Sequence, residues 1–263
     1  MGTLILASVL VFGYLFVETQ QARIQPVKEP ITQSQPQAPD VAGTGSVEFS
    51  NAGSAKREAQ TPPPPAPEES CDDLRVLVDR SHPLPPDYAP DDLVPLWAYG
   101  VLTLGGGEML LRREAVEHLS SLVSDAAADG EELVVASAYR SYVDQQISYA
   151  RLTSIYGTEA SEMSALPGHS QHQLGTSVDF TNAAAGYEVW QRFGNTSASW
   201  WLQEHAPEYG FVLAYPNGKA TETGYQWEPW HYRYVGAKNA ERLEVSGLSL
   251  QEFLTREGVL PRC

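Results

Sequence analysis

Ser170-Gln171-His172-Gln173-Leu174-Gly175-Thr176-Ser177-Val178-Asp179 is the stretch on which the reading of this chain turns. Asp179 follows His172 by seven residues, which is about 23 Å along a straight strand. Two ligands of one zinc ion, each bonded at about 2 Å, stand only about 4 Å apart. If the two side chains act together, the backbone must double back between them, and Gly175 is the residue that permits the reversal. Beyond it Ser177 to Thr181 (SVDFT) alternates polar and apolar residues, the pattern of a strand.

Outward from this stretch, helices and strands are mixed. Leu110 to Ala128 carries apolar residues at helical spacing (Leu111, Ala115, Leu119, Leu122, Val123) and reads as a helix. Glu132 to Ala138, a valine-containing run after Asp129-Gly130, reads as a strand. Ser141 to Tyr156 reads as a second helix with Ser141 as its N-cap. A Gly-, Ser- and Pro-rich loop then leads to Gln171. Ser199 to Tyr209 reads as a helix stopped by Gly210. Phe211 to Tyr215 and Tyr225 to Val235 read as strands separated by Pro216-Asn217-Gly218 turn chemistry, and two short helices follow. No regular strand–helix–strand rhythm runs through these elements, so the class is α+β.

The chain has 263 residues with 42% hydrophobic and 19% charged, a composition that supports a packed core. Its 17 Lys and Arg against 33 Asp and Glu give a formal charge of −16, which excludes nucleic acid as a partner on electrostatic grounds. Thr3 to Val17 is an uncharged apolar run, shorter than a comfortable bilayer span, and suits a signal-peptide core or a short signal anchor. Residues 1–22 are therefore expected to export the chain and hold it at a membrane. Residues 23–70, rich in Pro, Gln, Ser and Ala, form a disordered linker that cannot bury enough apolar area to order itself. The globular domain is expected at residues 71–263. Only Arg23, Lys28, Lys56, Arg57 and seven acids precede it, so the acidity belongs to the folded part. Cys71 and Cys263 stand at its two ends and are expected to pair in an oxidising compartment. Two cysteines cannot build a thiolate metal site, so any metal must be held by histidine and carboxylate.

Six histidines are present: His82, His118, His169, His172, His205 and His231. No H-E-x-x-H occurs. His172 and Asp179 with His231, from Glu228-Pro229-Trp230-His231, supply three ligands of the kind a catalytic zinc takes, leaving a position for water. Glu228, three residues before a ligand, is then placed to act as general base. His118 and His205 read as ordinary packing or surface residues, and His82 as a loop residue. His169 is close to the motif but out of register with it.

Four blocks together resemble the zinc D-alanyl-D-alanine carboxypeptidases of the VanY type. They are Leu84 to Val94, Ser137-Ala138-Tyr139-Arg140-Ser141 with Gln145, Ser170 to Asp179, and Thr223 to Gly236 containing Glu228-Pro229-Trp230-His231. The resemblance covers roughly Asp79 to Gly236. Ser177 stands where the family usually has alanine, and Gln171 where it usually has glutamate. The resemblance implies the hedgehog/DD-peptidase fold, a small mainly antiparallel sheet with flanking helices. It implies one zinc ion per chain held by His172, Asp179 and His231, with Glu228 activating the water. Arg140 would either stabilise the oxyanion or clamp the terminal carboxylate of the peptide. Gln145 and Ser170 would contact substrate.

The expected substrate is the stem peptide of peptidoglycan, losing its terminal D-alanine to an extracytoplasmic monomer. L,D-carboxypeptidase or endopeptidase activity on the same scaffold, or a non-catalytic wall-binding module, are the alternatives.

Overall fold

A computed structural model describes residues 71–257 and 260–261. The expected N-terminal anchor, the linker and Cys263 lie outside the described residues. Among those described, no helix is long and apolar enough to cross a membrane. Cys71 is buried, and no described cysteine is free.

Strand β1 (Leu93–Pro95) pairs antiparallel with β2 (Leu110–Arg112), and α1 (Arg113–Ala128) follows directly. The helix expected from Leu110 thus begins three residues late. Leu110 to Arg112 are drawn into the small sheet, because Val94 and Leu111 bury together there. The helical spacing holds over the rest of α1, whose Ala115, Val116, Leu119, Leu122 and Ala126 are buried. Each fully buried leucine on that stripe contributes about 1.5–3 kcal/mol.

The main sheet has four antiparallel strands. They are β3 (Val134–Ser137), β4 (Ser177–Thr181), β5 (Phe211–Leu213) and β6 (His231–Tyr234), in the spatial order β3-β4-β6-β5. All five residues of β4 are buried, yet the strand keeps its alternation. Val178 and Phe180 join Tyr232 and Tyr234 of β6 in the core with α1. Ser177 and Asp179 alternate with them and so share the opposite face with His231 and Arg233 of β6. Register makes that face specific, since Asp179 pairs with His231 and Ser177 with Arg233. Arg233 is fully buried and donates from Nη2 to the Leu74 and Val76 carbonyls, tying the domain's first segment to the sheet.

Between β3 and β4, α2 (Tyr142–Tyr156) starts at Ser141, whose hydroxyl accepts the Asp144 N–H as an N-cap should. The expected loop to Gln171 contains a further short helix, α3 (Ala160–Met163). Helix α4 (Ser197–His205) is capped by Thr196 and continues as a 3₁₀ turn to Tyr209, ending at Gly210. It opens two residues earlier than Ser199, because the Thr196 hydroxyl accepts the Ser199 N–H. The strand expected over Tyr225 to Val235 is reduced to His231–Tyr234. A one-turn helix, α5 (Ala220–Thr223), precedes it, and Tyr225 to Trp230 turn along a cavity wall instead of pairing. Helices α6 (Ala237–Ser246) and α7 (Leu250–Glu257) close a second core cluster that includes Leu77, Val235, Leu243 and Phe253. The described residues therefore form an α+β fold with small antiparallel sheets, as expected.

Candidate active site

His172 lies in a 3₁₀ turn (Gln171–Leu174) that Gly175 closes in the left-handed region at φ 66°. The turn is held from both sides. Gly175 N–H donates to the His172 carbonyl, and Arg112 N–H donates to that of Gly175. A Cβ on Gly175 would meet Leu93 Cδ2 at 2.9 Å and Arg112 Cγ at 3.0 Å. Glycine is thus required there for conformation and for space. The backbone reverses at this point, as the sequence demands, and enters β4.

The reversal and the β4–β6 register bring His172, Asp179 and His231 together. One ligand atom from each lies within 4.8 Å of the others, and all three residues are buried. His172 Nε2 is 3.3 Å from Asp179 Oδ2, and His231 Nδ1 is 2.9 Å from Asp179 Oδ1. Behind His172, Nδ1 is 2.7 Å from the Ala138 carbonyl. A carbonyl only accepts, so Nδ1 carries the proton and Nε2 turns its lone pair to the site. Two imidazole nitrogens and one carboxylate at such spacing suit a tetrahedral zinc with one open position.

Electrostatics separates the two carboxylates. Burial alone would raise Asp179, but the charge and hydrogen bonds of His172 and His231 outweigh it and hold the carboxyl well below its ordinary range. Glu228 moves the other way. Burial, with a smaller push from Asp179, raises it to about 7 against the pull of His231 and Arg140. Its position is set locally: Glu228 N–H donates to the Tyr215 carbonyl, and His231 N–H donates to that of Glu228.

Arg140, just past β3, donates its backbone N–H to the His172 carbonyl and Nη2 to Ser170 Oγ at 3.2 Å. Its Nε is buried without a partner among the described residues. Desolvation lowers its pKa, while Asp179 and Glu228 favour its charge. These residues line a cavity of about 400 Å³ together with Ser170, Met163, Trp190, Trp227 and Trp230. Gln145 does not line it. That side chain is fully buried behind the wall, donating to Ser164 Oγ and the Ala165 carbonyl, and so it shapes the wall instead of facing a substrate. His169 is also turned away, its Nδ1 on the Asp79 carbonyl.

Two neighbours escape a linear reading. Tyr215 stacks on the His231 ring at 5.0 Å and 29°, with burial raising its hydroxyl pKa far above the usual value. Trp190 lies parallel to Trp230 at 6.4 Å, more than half exposed. Neither is in a motif with a ligand, and only the fold sets them beside the site.

Residues 108–237 match the family model described as VanY, D-alanyl-D-alanine carboxypeptidase. YodJ of Bacillus subtilis (strain 168) is 34% identical over 189 residues, covering 72% of this chain and 69% of that one. This chain belongs to the VanY D-alanyl-D-alanine carboxypeptidase family. Among solved structures, that of the LdcB LD-carboxypeptidase superposes with a TM-score of 0.66 at 35% identity, covering 70% of this chain and 87% of its own. The vancomycin resistance D,D-pentapeptidase VanY from a VanB-type cassette, solved in complex with Zn(II), gives 0.57 at 32% identity, covering 69% and 98%. VanYB in complex with D-alanine-D-alanine gives 0.58 at 34% identity, covering 70% and 98%. A VanY-family membership assigns this chain to the carboxypeptidase hydrolases and accounts for the α+β fold.

Proposed function

We propose that this protein is a zinc-dependent, extracytoplasmic carboxypeptidase that removes the terminal D-alanine from peptidoglycan stem peptides. The observation that carries the reading is the buried His172–Asp179–His231 cluster opening onto a cavity that Glu228 and Arg140 also line. Zinc in a VanY relative and D-alanine-D-alanine in another structure of that relative support the metal and the substrate class.

In this reading His172, Asp179 and His231 hold one zinc ion, which supplies Lewis acidity and a water of lowered pKa. Glu228 in its ionised form takes the proton of the attacking water at a carboxylate oxygen. A carboxylate lining the cavity beside the three ligands is placed both to take that proton and to give it up again. Water oxygen bonds to the scissile carbonyl carbon, the C–N bond breaks, and Glu228 returns the proton to the departing amine of D-alanine. Arg140 faces the same cavity with a fixed positive charge, for the developing oxyanion or the terminal carboxylate. Ser170 orients its guanidinium through the Nη2–Oγ bond. Trp190, Trp227 and Trp230 give the same cavity an aromatic wall.

The likeness to LdcB favours a second reading, L,D-carboxypeptidase action on a tetrapeptide stem. Residues 1–22 as export signal or membrane anchor, 23–70 as tether and 71–263 as a monomeric catalytic domain complete the proposal. The test is incubation with pentapeptide, tetrapeptide and cross-linked stems, with products read by mass. Loss of one alanine from the pentapeptide, abolished by chelator and restored by zinc, is expected. Loss only from the tetrapeptide replaces the D,D reading with the L,D one. Zinc binding with no cleavage of any stem rejects the enzyme and leaves a wall-binding module.

A further inference from the structure

Gln171 stands against the ligand cluster without contributing a ligand atom. It is 2% exposed, its Oε1 lies 3.1 Å from His231 Nε2, and its Nε2 is buried with no partner among the described residues. We propose that Gln171 is a positioning residue of the metal centre: its side-chain oxygen accepts the Nε2–H of His231 and so commits Nδ1 to the metal. The proposal rests on reading His172, Asp179 and His231 as the ligands.

A neutral imidazole has one N–H and one lone pair, and a partner on one nitrogen fixes the role of the other. The two histidines of the cluster present different nitrogens, Nε2 from His172 and Nδ1 from His231. Each therefore needs an acceptor behind it. His172 finds a main-chain carbonyl, that of Ala138, which any residue at that position would supply. Among the described residues the acceptor at His231 Nε2 is the Gln171 side chain, so it depends on which amino acid occupies position 171.

The ring is otherwise confined. Tyr215 stacks on one face and the His172 ring meets it at 76° with centroids 4.9 Å apart. The freedom that remains is a half-turn about the Cβ–Cγ bond. That half-turn would set ring carbons where both nitrogens now stand, losing the contacts to Asp179 and Gln171 together. The Gln171 acceptor penalises it.

The unpartnered Gln171 Nε2 shows which end of the amide serves the site. Among the described residues nothing uses the donor, and it is the oxygen that meets His231. An amide oxygen also polarises the imidazole less than a carboxylate would, and it adds no charge to a cluster that already holds Asp179 and Glu228.

Zinc affinity decides the matter, measured on the full chain by competition with a fluorescent chelator at fixed pH. Gln171→Leu removes the acceptor, and Gln171→Asn, one methylene shorter, withdraws it. Each should loosen zinc by about 10- to 100-fold. Gln171→Glu keeps an acceptor of the same reach and should bind zinc at least as tightly as wild type. In the metal-free protein, where Asp179 Oδ1 competes for the proton at His231 Nδ1, the ¹⁵N shifts of His231 should show more Nε2–H in wild type and Gln171→Glu than in Gln171→Leu. Zinc affinity in both Gln171→Leu and Gln171→Asn equal to wild type overturns the proposal, as does a Gln171→Glu variant as weak as Gln171→Leu. A wild-type chain that binds no zinc overturns the ligand assignment itself, a failure distinct from the other two. Melting of the metal-free variants confirms that each remains folded.

Discussion

Replacing Glu228 by glutamine should stabilise the metal-free protein at alkaline pH while changing little in mild acid. Burial raises this carboxyl from its ordinary 4.5 to about 7. Over that interval the native state holds a proton that the unfolded chain has released. Stability is therefore fully present below 4.5 and is lost as pH rises through 7. At about 1.4 kcal/mol per pH unit, the shift corresponds to a ceiling of about 3 kcal/mol. Glu228 is half-buried and lines the cavity, so solvent screening brings the expected cost to roughly 1–3 kcal/mol. Glutamine has the same shape and cannot ionise, so it escapes this cost. Urea unfolding of chelated wild type and Glu228→Gln at pH 5 and pH 8.5 measures it. The stability gap should widen by roughly 1–3 kcal/mol in favour of the variant between the two pH values, and should shrink when zinc is added, since a nearby cation favours the carboxylate. A gap that stays constant with pH, or that favours wild type at pH 8.5, would refute the reasoning that burial strains this group.

Gly175→Ala should destabilise the domain by about 2–4 kcal/mol, combining the left-handed backbone cost with overpacking against Leu93 and Arg112; thermal melting checks it, and a loss under 1 kcal/mol would contradict it. Arg140→Lys keeps the charge but loses the planar fork, and should lower kcat/KM by about 10²- to 10³-fold. A loss concentrated in kcat assigns the arginine to the oxyanion, one concentrated in KM to the terminal carboxylate, and no loss rejects both. Thiol labelling of the unfolded, unreduced chain should find no reactive cysteine if Cys71 and Cys263 pair, and two labels would reject the pairing.

What could be read along the chain was local or forced by reach. The β4 strand was legible from the SVDFT alternation, and the start of α2 from Ser141, because each depends on neighbours within a few residues. The reversal at Gly175 was legible because seven residues of extended chain cannot otherwise return two ligands to one point. Tyr225 to Trp230 reads as strand from its aromatic and apolar residues, but Tyr225, Trp227 and Trp230 line a cavity, and the paired strand begins only at His231. Leu110 to Arg112 fits a helical stripe and a strand equally well, and pairing with β1 decides it. Gln145 follows Arg140 by five residues, yet α2 carries its side chain behind the wall, where it anchors the Ser164–Ala165 loop. Tyr215 and Gln171 act on His231 from 16 and 60 residues away, and nothing in the linear pattern joins them.

Diffraction from zinc-loaded crystals at the zinc absorption edge tests the central claim most directly. One anomalous peak is expected, bonded at about 2 Å to His172 Nε2, the Asp179 carboxylate and His231 Nδ1, with Glu228 beside the remaining position. A peak held by other residues, or none at full zinc occupancy in solution, would contradict it.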